Sequence, residues 1–389
     1  MREEVGNELC GMLKCVLHRQ TWDGTGNEEL AEACKALAAR HKVLPLLYDI
    51  YPDDPAVTAL CRQTVCQSYH LLFLGSYVIG LLDERHIDSI LLKGSATAEY
   101  YPVPELRKSG DIDLLLRDEA AVEAACSWLQ EYGFVRMEEQ AAHHHVVCES
   151  PDHISVELHS ALAEPFDDPK VNALLKRQQE QFFVHRMGQT LMGKPMPVLS
   201  YPYHAYYLLL HMLQHFLRAG FGLKLLCDWV CLWEQGCTDA DADVFLQLVK
   251  KSGMEQFAVL VTAVCIKKLG LSAEPFPFWK TQLAAVKDAQ LMEFLQEILE
   301  AEEFGHADET RMVVMRGTRI RDYMREFHHQ MLLTYPRAGK CPLLYPLLWG
   351  MLLSGFLYRN KHVRGVSSRE VLKKAKKRSR LVENLHLFQ

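Results

Sequence analysis

The run Asp111-Ile112-Asp113-Leu114-Leu115-Leu116 constrains this chain more than any other. On a strand, residues i and i+2 share a face, so Asp111 and Asp113 present two carboxylates together while Ile112 turns to an apolar layer. The surrounding pattern supports a strand. His86–Leu92 is a short β-type run ending at Lys93-Gly94-Ser95, and a segment of helical character continues to Tyr101. The turn Arg107–Gly110 then opens the DIDLLL strand. An amphipathic helix over Glu119–Tyr132 closes at Gly133, and strands are expected at His144–Glu149 and His153–His159 around the turn Ser150-Pro151-Asp152.

Two carboxylates so close repel each other, and burying them is costly unless a cation lies between them. Hard oxygen donors of this kind suit Mg²⁺, or Mn²⁺ in its place, with substrate phosphate and water completing the shell. In Ser155-Val156-Glu157-Leu158-His159, Val156 and Leu158 fall on one face and Glu157 on the other, so Glu157 can join the pair from a neighbouring strand. Three acids around two ions are what an in-line displacement at phosphorus needs. Gly94 fits the same chemistry, because a turn without a side chain lets a triphosphate approach backbone N–H groups.

Beyond this unit the chain reads as helical. Apolar spacing places helices in the first 85 residues, one after Pro165, and others at Tyr203–Arg218, Leu223–Glu234, Asp241–Lys251, Glu255–Lys268 and Trp279–Glu303. The expected architecture is α+β: a helical region over 1–85, a mixed-sheet core over 86–200 and a helical domain over 201–389. The net charge of −6 argues against a general nucleic-acid surface, although Arg359–Arg380 carries ten Lys/Arg against Glu370 alone. That tail is read as a solvated face. The segment Pro342–Tyr358 is short for a membrane span and contains Pro346, Gly350 and Gly355, so a buried or partner-facing helix is expected. The amino terminus shows early acids and no secretory pattern, and the twelve cysteines contain no CxxC pair; free thiols in a cytoplasm are the expectation.

The string LLKGSATAEYYPVPELRKSGDIDLLL, with VELH about forty residues later, resembles the nucleotidyltransferase fold of the DNA polymerase beta type. More narrowly it is similar to an uncharacterised bacterial nucleotidyltransferase family whose members read KG, then R and GDID, then ELH. ARHKVLPLLY, HMLQHF, LKLLCDW and PRAGKCPLLYPLLW extend that resemblance over most of the chain. It implies that Gly94 and Ser95 hold the triphosphate of an NTP such as ATP and that Asp111, Asp113 and Glu157 hold two metal ions. Lys93 is a candidate phosphate contact, and Arg107 a candidate for holding either the turn or the nucleotide. His215, Lys224 and Asp228 are candidates for lining the cleft from the helical side. The acceptor hydroxyl is not implied.

Other features are read as structural. Gly188–Lys194 has phosphate-loop spacing, but Pro195 stands where Ser or Thr is required, so a hairpin is expected. His211 and His215 lack the Glu of a zinc-protease helix, and Tyr201, Tyr203, Tyr206 and Tyr207 suit helix packing. His143, His144 and His145 are read as a strand start whose faces alternate, which excludes all three from one ion. The expected reaction is therefore nucleoside monophosphate transfer from an NTP to an acceptor, with release of pyrophosphate. Its rivals are a nucleotide-binding or interaction protein without turnover and an enzyme acting on a tRNA end.

Overall fold

The computed structural model describes residues 2–24, 26–137, 144–218, 220–301, 320–335 and 338–358, together with residues 379, 382, 383, 385 and 387. Helices α1 (Arg2–Leu17), α2 (Glu28–Arg40) and α3 (Pro55–Glu84) come first. The central unit runs β1 (Ser89–Leu91), α4 (Ser95–Ala98), β2 (Asp111–Leu116), α5 (Glu119–Gln130), β3 (Val135–Arg136), β4 (His145–Glu149) and β5 (Ser155–His159). It continues through α6 (Pro169–Val184), β6 (Arg186–Leu191) and β7 (Lys194–Leu199). Then follow α7 (Tyr201–Arg218), α8 (Leu223–Glu234), α9 (Asp239–Lys251), α10 (Glu255–Leu269), α11 (Lys280–Ala285), α12 (Asp288–Ala301), α13 (Ile320–Thr334) and α14 (Tyr345–Tyr358). Local chemistry sets several of these starts. Asp54 accepts from the Ala56 and Val57 amides with Pro55 at the first turn of α3, Asp118 caps α5, and Thr238 with Asp241 forms a capping box on α9.

The strands form one seven-stranded mixed sheet in the order β3-β4-β5-β2-β1-β7-β6, among the described residues. The pairs β2–β5 and β1–β7 are parallel, and the rest are antiparallel. One face carries Ile112, Leu114, Leu116, Val156 and Leu158 against α3 and α5, where Leu72, Val78, Leu82, Val122 and Leu129 are buried. On the other face Ile90, Leu92 and Leu115 join a larger core containing Tyr206, Phe216, Trp229 and Phe257. Since Asp111 and Asp113 alternate with Ile112 and Leu114, they stand on this second face, toward the carboxy-terminal helices. The first 85 residues serve both sides: α3 packs on β2 and β7, and α1 lies against α8 and α10.

The expected α+β class and the hairpin at Met192-Gly193 are present, with Gly193 at φ +86°. Three expectations change. The single helix over Trp279–Glu303 is two helices, because Val286 is extended (ψ 116°) between α11 and α12; residues 302–303 lie outside the described residues. Strand β3 was not anticipated, since two residues carry no alternation signal. Of the two readings of segment 342–358, buried or partner-facing, burial does not hold: Leu343 is 90% and Leu347 61% exposed, while the Tyr345 and Trp349 rings pack on His328 of α13. Helix α3 is long and apolar enough to cross a membrane by composition, but it packs along the sheet. Apart from Ser379, the basic tail Arg359–Arg380 and its ten cations lie outside the described residues.

Candidate functional site

Strand register assembles the acids. Asp113 on β2 is directly opposite Glu157 on β5, and Asp111 is opposite Ser155. Because the two strands are parallel and in register, Asp111, Asp113, Glu157 and His159 share one face. Asp113 is buried, Glu157 is partly buried, and Asp111 stands at the mouth with its side chain 36% exposed. Leu92 donates its amide to the Asp113 carbonyl and brings Lys93 alongside. The Lys93 ammonium lies 3.1 Å from Asp113 Oδ1 and 3.8 Å from Asp111 Oδ2.

The site is charge-compensated by this chain's own cations. Burial disfavours the Lys93 charge, but Asp111, Asp113 and Glu157 around it raise its pKa well above the ordinary lysine value. His159 Nε2 is 3.1 Å from Asp113 Oδ1 and 3.3 Å from Glu157 Oε2. Burial works against the imidazolium, and these two carboxylates outweigh it and raise the His159 pKa. Glu157 shows the reciprocal effect: despite desolvation, His159 and Lys93 hold its carboxyl down to about 2.

Gly94 begins the turn after Lys93 at φ +66° and ψ −117°, a conformation that side chains rarely adopt. Its carbonyl accepts from the Ala98 amide and from Arg107 Nη1, the latter at 3.3 Å. Ser95 follows as the first residue of α4. The Arg107 guanidinium is held by this chain's own groups. Its Nε and Nη2 donate to Asp228 at 2.7 and 2.8 Å, and Nη1 also donates to Ser109 Oγ at 2.7 Å. Of the two roles expected for Arg107, holding the turn is the one its bonds perform. Asp228 is held likewise, accepting from Tyr101 at 2.6 Å as well. Burial would raise the Asp228 pKa, yet Arg107 lowers it. Helix α8 thus pins both turns that flank the acids.

The other expected cleft residues lie on the same side. Lys224 Nζ donates to the Lys108 carbonyl at 3.5 Å. His215 packs edge-on against His211 at 4.3 Å between ring centres, and burial followed by the charges of Lys93 and Lys224 depresses its pKa well below the usual value. Tyr207 on α7 is buried near Lys93 and the acids, and burial pushes its hydroxyl pKa upward.

Sequence reading missed the histidines. The alternation that placed Glu157 on the acidic face also places His159 there, so that signal was present. The argument that successive histidines diverge fails for His144 and His145, because β4 begins at His145 and His144 belongs to the preceding turn. His143 lies outside the described residues.

Asp113, Glu157 and His159 offer ligand atoms that all lie within 4.8 Å of one another. Asp113 Oδ2 is buried without a hydrogen-bond partner, an oxygen whose desolvation a divalent ion would offset. The two carboxylates of this set fit a hard cation, whereas the imidazole does not select for one.

The family whose model matches residues 27–270 is described as an uncharacterised nucleotidyltransferase. A solved structure, an antigenic nucleotidyltransferase-like protein from Paracoccidioides brasiliensis, is similar at 17% identity over 53% of this chain and 96% of its own, with a TM-score of 0.32. No curated protein matches.

Proposed function

The chain belongs to this uncharacterised nucleotidyltransferase family, whose match spans 27–270 and takes in the sheet, both turns and α8, and from that premise we propose that it transfers a nucleoside monophosphate from an NTP to a hydroxyl acceptor and releases pyrophosphate. The observation that carries the reading is the register of Asp113 with Glu157 beside Lys93 and the Gly94 turn. Asp111, Asp113 and Glu157 would hold two Mg²⁺ or Mn²⁺ ions. Bound there, the ions would supply charge screening for the triphosphate and lower the pKa of the attacking hydroxyl.

The chain's own groups do the positioning, which dominates phosphoryl transfer. Gly94 and Ser95 offer a turn without an obstructing side chain at the phosphates. Lys93 is the counter-charge to the acids and, once a cation takes that place, to a phosphate. Glu157, held near 2, acts as a ligand; a proton acceptor would need a pKa close to the working pH. Arg107 and Asp228 fix the turn, and Tyr207 closes the site from α7.

The test is incubation of the whole protein with each α-labelled NTP, Mg²⁺ or Mn²⁺, and a lysate, with identification of the labelled product. Transfer by the wild type and none by Asp113→Asn supports the reading. NTP binding without transfer in any fraction would favour a nucleotide-binding protein, and label confined to RNA ends would favour an RNA acceptor.

A further inference from the structure

Beside the acids, on the same sheet face, lies a second cluster that this reaction does not use. Antiparallel register sets His145 of β4 directly opposite His159 of β5, and His144 immediately precedes β4. The three rings pack together, with centres 4.5 Å apart for His144–His145, 5.0 Å for His145–His159 and 5.5 Å for His144–His159. Each can present a nitrogen within 4.8 Å of the other two. His145 Nδ1 and His144 Nε2 share a hydrogen bond, 3.2 Å long, whose proton a bound ion would replace. Two nitrogens on one tetrahedral zinc, at about 2.0–2.1 Å from the metal, are separated by about 3.3 Å. The observed spacing is that of an edge of such a site.

We propose that His144, His145 and His159 form a nitrogen-rich site for a borderline divalent transition metal such as Zn²⁺ or Co²⁺, distinct from the carboxylate positions and independent of nucleotide. Imidazole donors favour these ions, whereas Mg²⁺ prefers carboxylate, phosphate and water. Asp113 and Glu157 engage His159 Nε2 from behind. With that nitrogen occupied, ligation through the other gives the carboxylate–histidine–metal arrangement that fixes a ligand ring and raises its basicity. His144 and His145 are only half-buried, so an ion has access from solvent. The site also joins the metal directly to the acids: an ion here would act on Asp113 and Glu157 through one shared ring.

Untagged, chelator-treated protein titrated with Co²⁺ alone tests this, with visible d–d absorption as the readout. The wild type should bind one ion with low-symmetry, nitrogen-ligated bands that Zn²⁺ abolishes and excess Mg²⁺ leaves in place. His144→Ala and His145→Ala should each weaken binding about tenfold or more, while Asp111→Asn retains it. Far-UV circular dichroism confirms folding, and either half-buried histidine variant suffices if the other is unstable. Absence of the bands in the wild type, their persistence in both histidine variants, or their displacement by Mg²⁺ would overturn the proposal. None of these readouts depends on nucleotide transfer, so the outcome is separable from that of the labelling experiment.

Discussion

Lys93 Nζ lies 3.1 Å from Asp113 Oδ1, so the ammonium occupies the place between the carboxylates that sequence reasoning reserves for a cation. The acids therefore do not simply repel one another when no metal is bound. Removing the Asp113 charge leaves partly buried Lys93 and buried His159 with fewer counter-charges, which costs about 3 kcal/mol. Asp113→Asn should accordingly lower the urea midpoint of metal-free protein, and Lys93→Met in the same chain should recover part of the loss. Label transfer by Asp113→Asn should fall by several orders of magnitude, on the order of 4 kcal/mol in barrier. A metal-free Asp113→Asn protein as stable as the wild type would show that Lys93 is not the counter-charge.

The Arg107–Asp228 pair joins α8 to the turns on either side of the acids. Asp228→Ala leaves a buried guanidinium uncompensated, and the expected loss is about 3–5 kcal/mol by chemical denaturation. Arg107→Lys keeps the charge but not the two-pronged bond to Asp228 or the contact with Gly94. That variant should fold, with NTP affinity falling more than maximal turnover. An equal fall in both would place Arg107 at the reacting phosphate.

At Gly94 an added Cβ would meet only the Asp111 carbonyl, at an ordinary 3.6 Å, so space is not the constraint. The backbone is: φ +66° with ψ −117° costs a side-chain residue about 1–3 kcal/mol. Gly94→Ala should lose that much stability if the turn holds. If the turn instead relaxes, stability should be nearly unchanged while the Mg²⁺-NTP shift in Tm disappears. Retention of both full stability and the shift would remove Gly94 from the phosphate-binding role.

The legible part of this fold is what alternation and turn chemistry encode. DIDLLL and SVELH announce two strands with acids on one face, and both occur in mutual register. The Gly193 hairpin and helices α8 and α10 were equally plain from spacing. Partner choice was not legible, because nothing local tells Arg107 that its carboxylate lies on a helix more than a hundred residues away. The same holds for Lys93, whose role depends on where the chain turns after β1. His144 was misread because a strand boundary shifted by one residue changes which face a side chain takes.

Burial fixes the neutral form of two further histidines, His41 and His204. His41 accepts from the Leu223 amide, and His204 contacts the Tyr100 hydroxyl at 3.0 Å and Thr97 Oγ1 at 3.4 Å. Desolvation lowers each from 6.5 to about 4. The unfolded chain therefore gains a proton at each site as pH falls through 6.5, while the folded chain gains none until about 4. Stability contributed by the neutral rings is present above pH 6.5, declines through that window and is lost below it, on the order of 3 kcal/mol per ring. Glu157 adds a loss at lower pH, as the unfolded carboxyl protonates near 4.5 and the folded one only near 2. Urea midpoints measured from pH 7 to pH 4 should fall steeply for the wild type and less steeply for His204→Gln, with the remaining buried histidines, His215 among them, keeping part of the slope. Equal slopes for the wild type, His204→Gln and His41→Gln would assign the acid sensitivity to other groups.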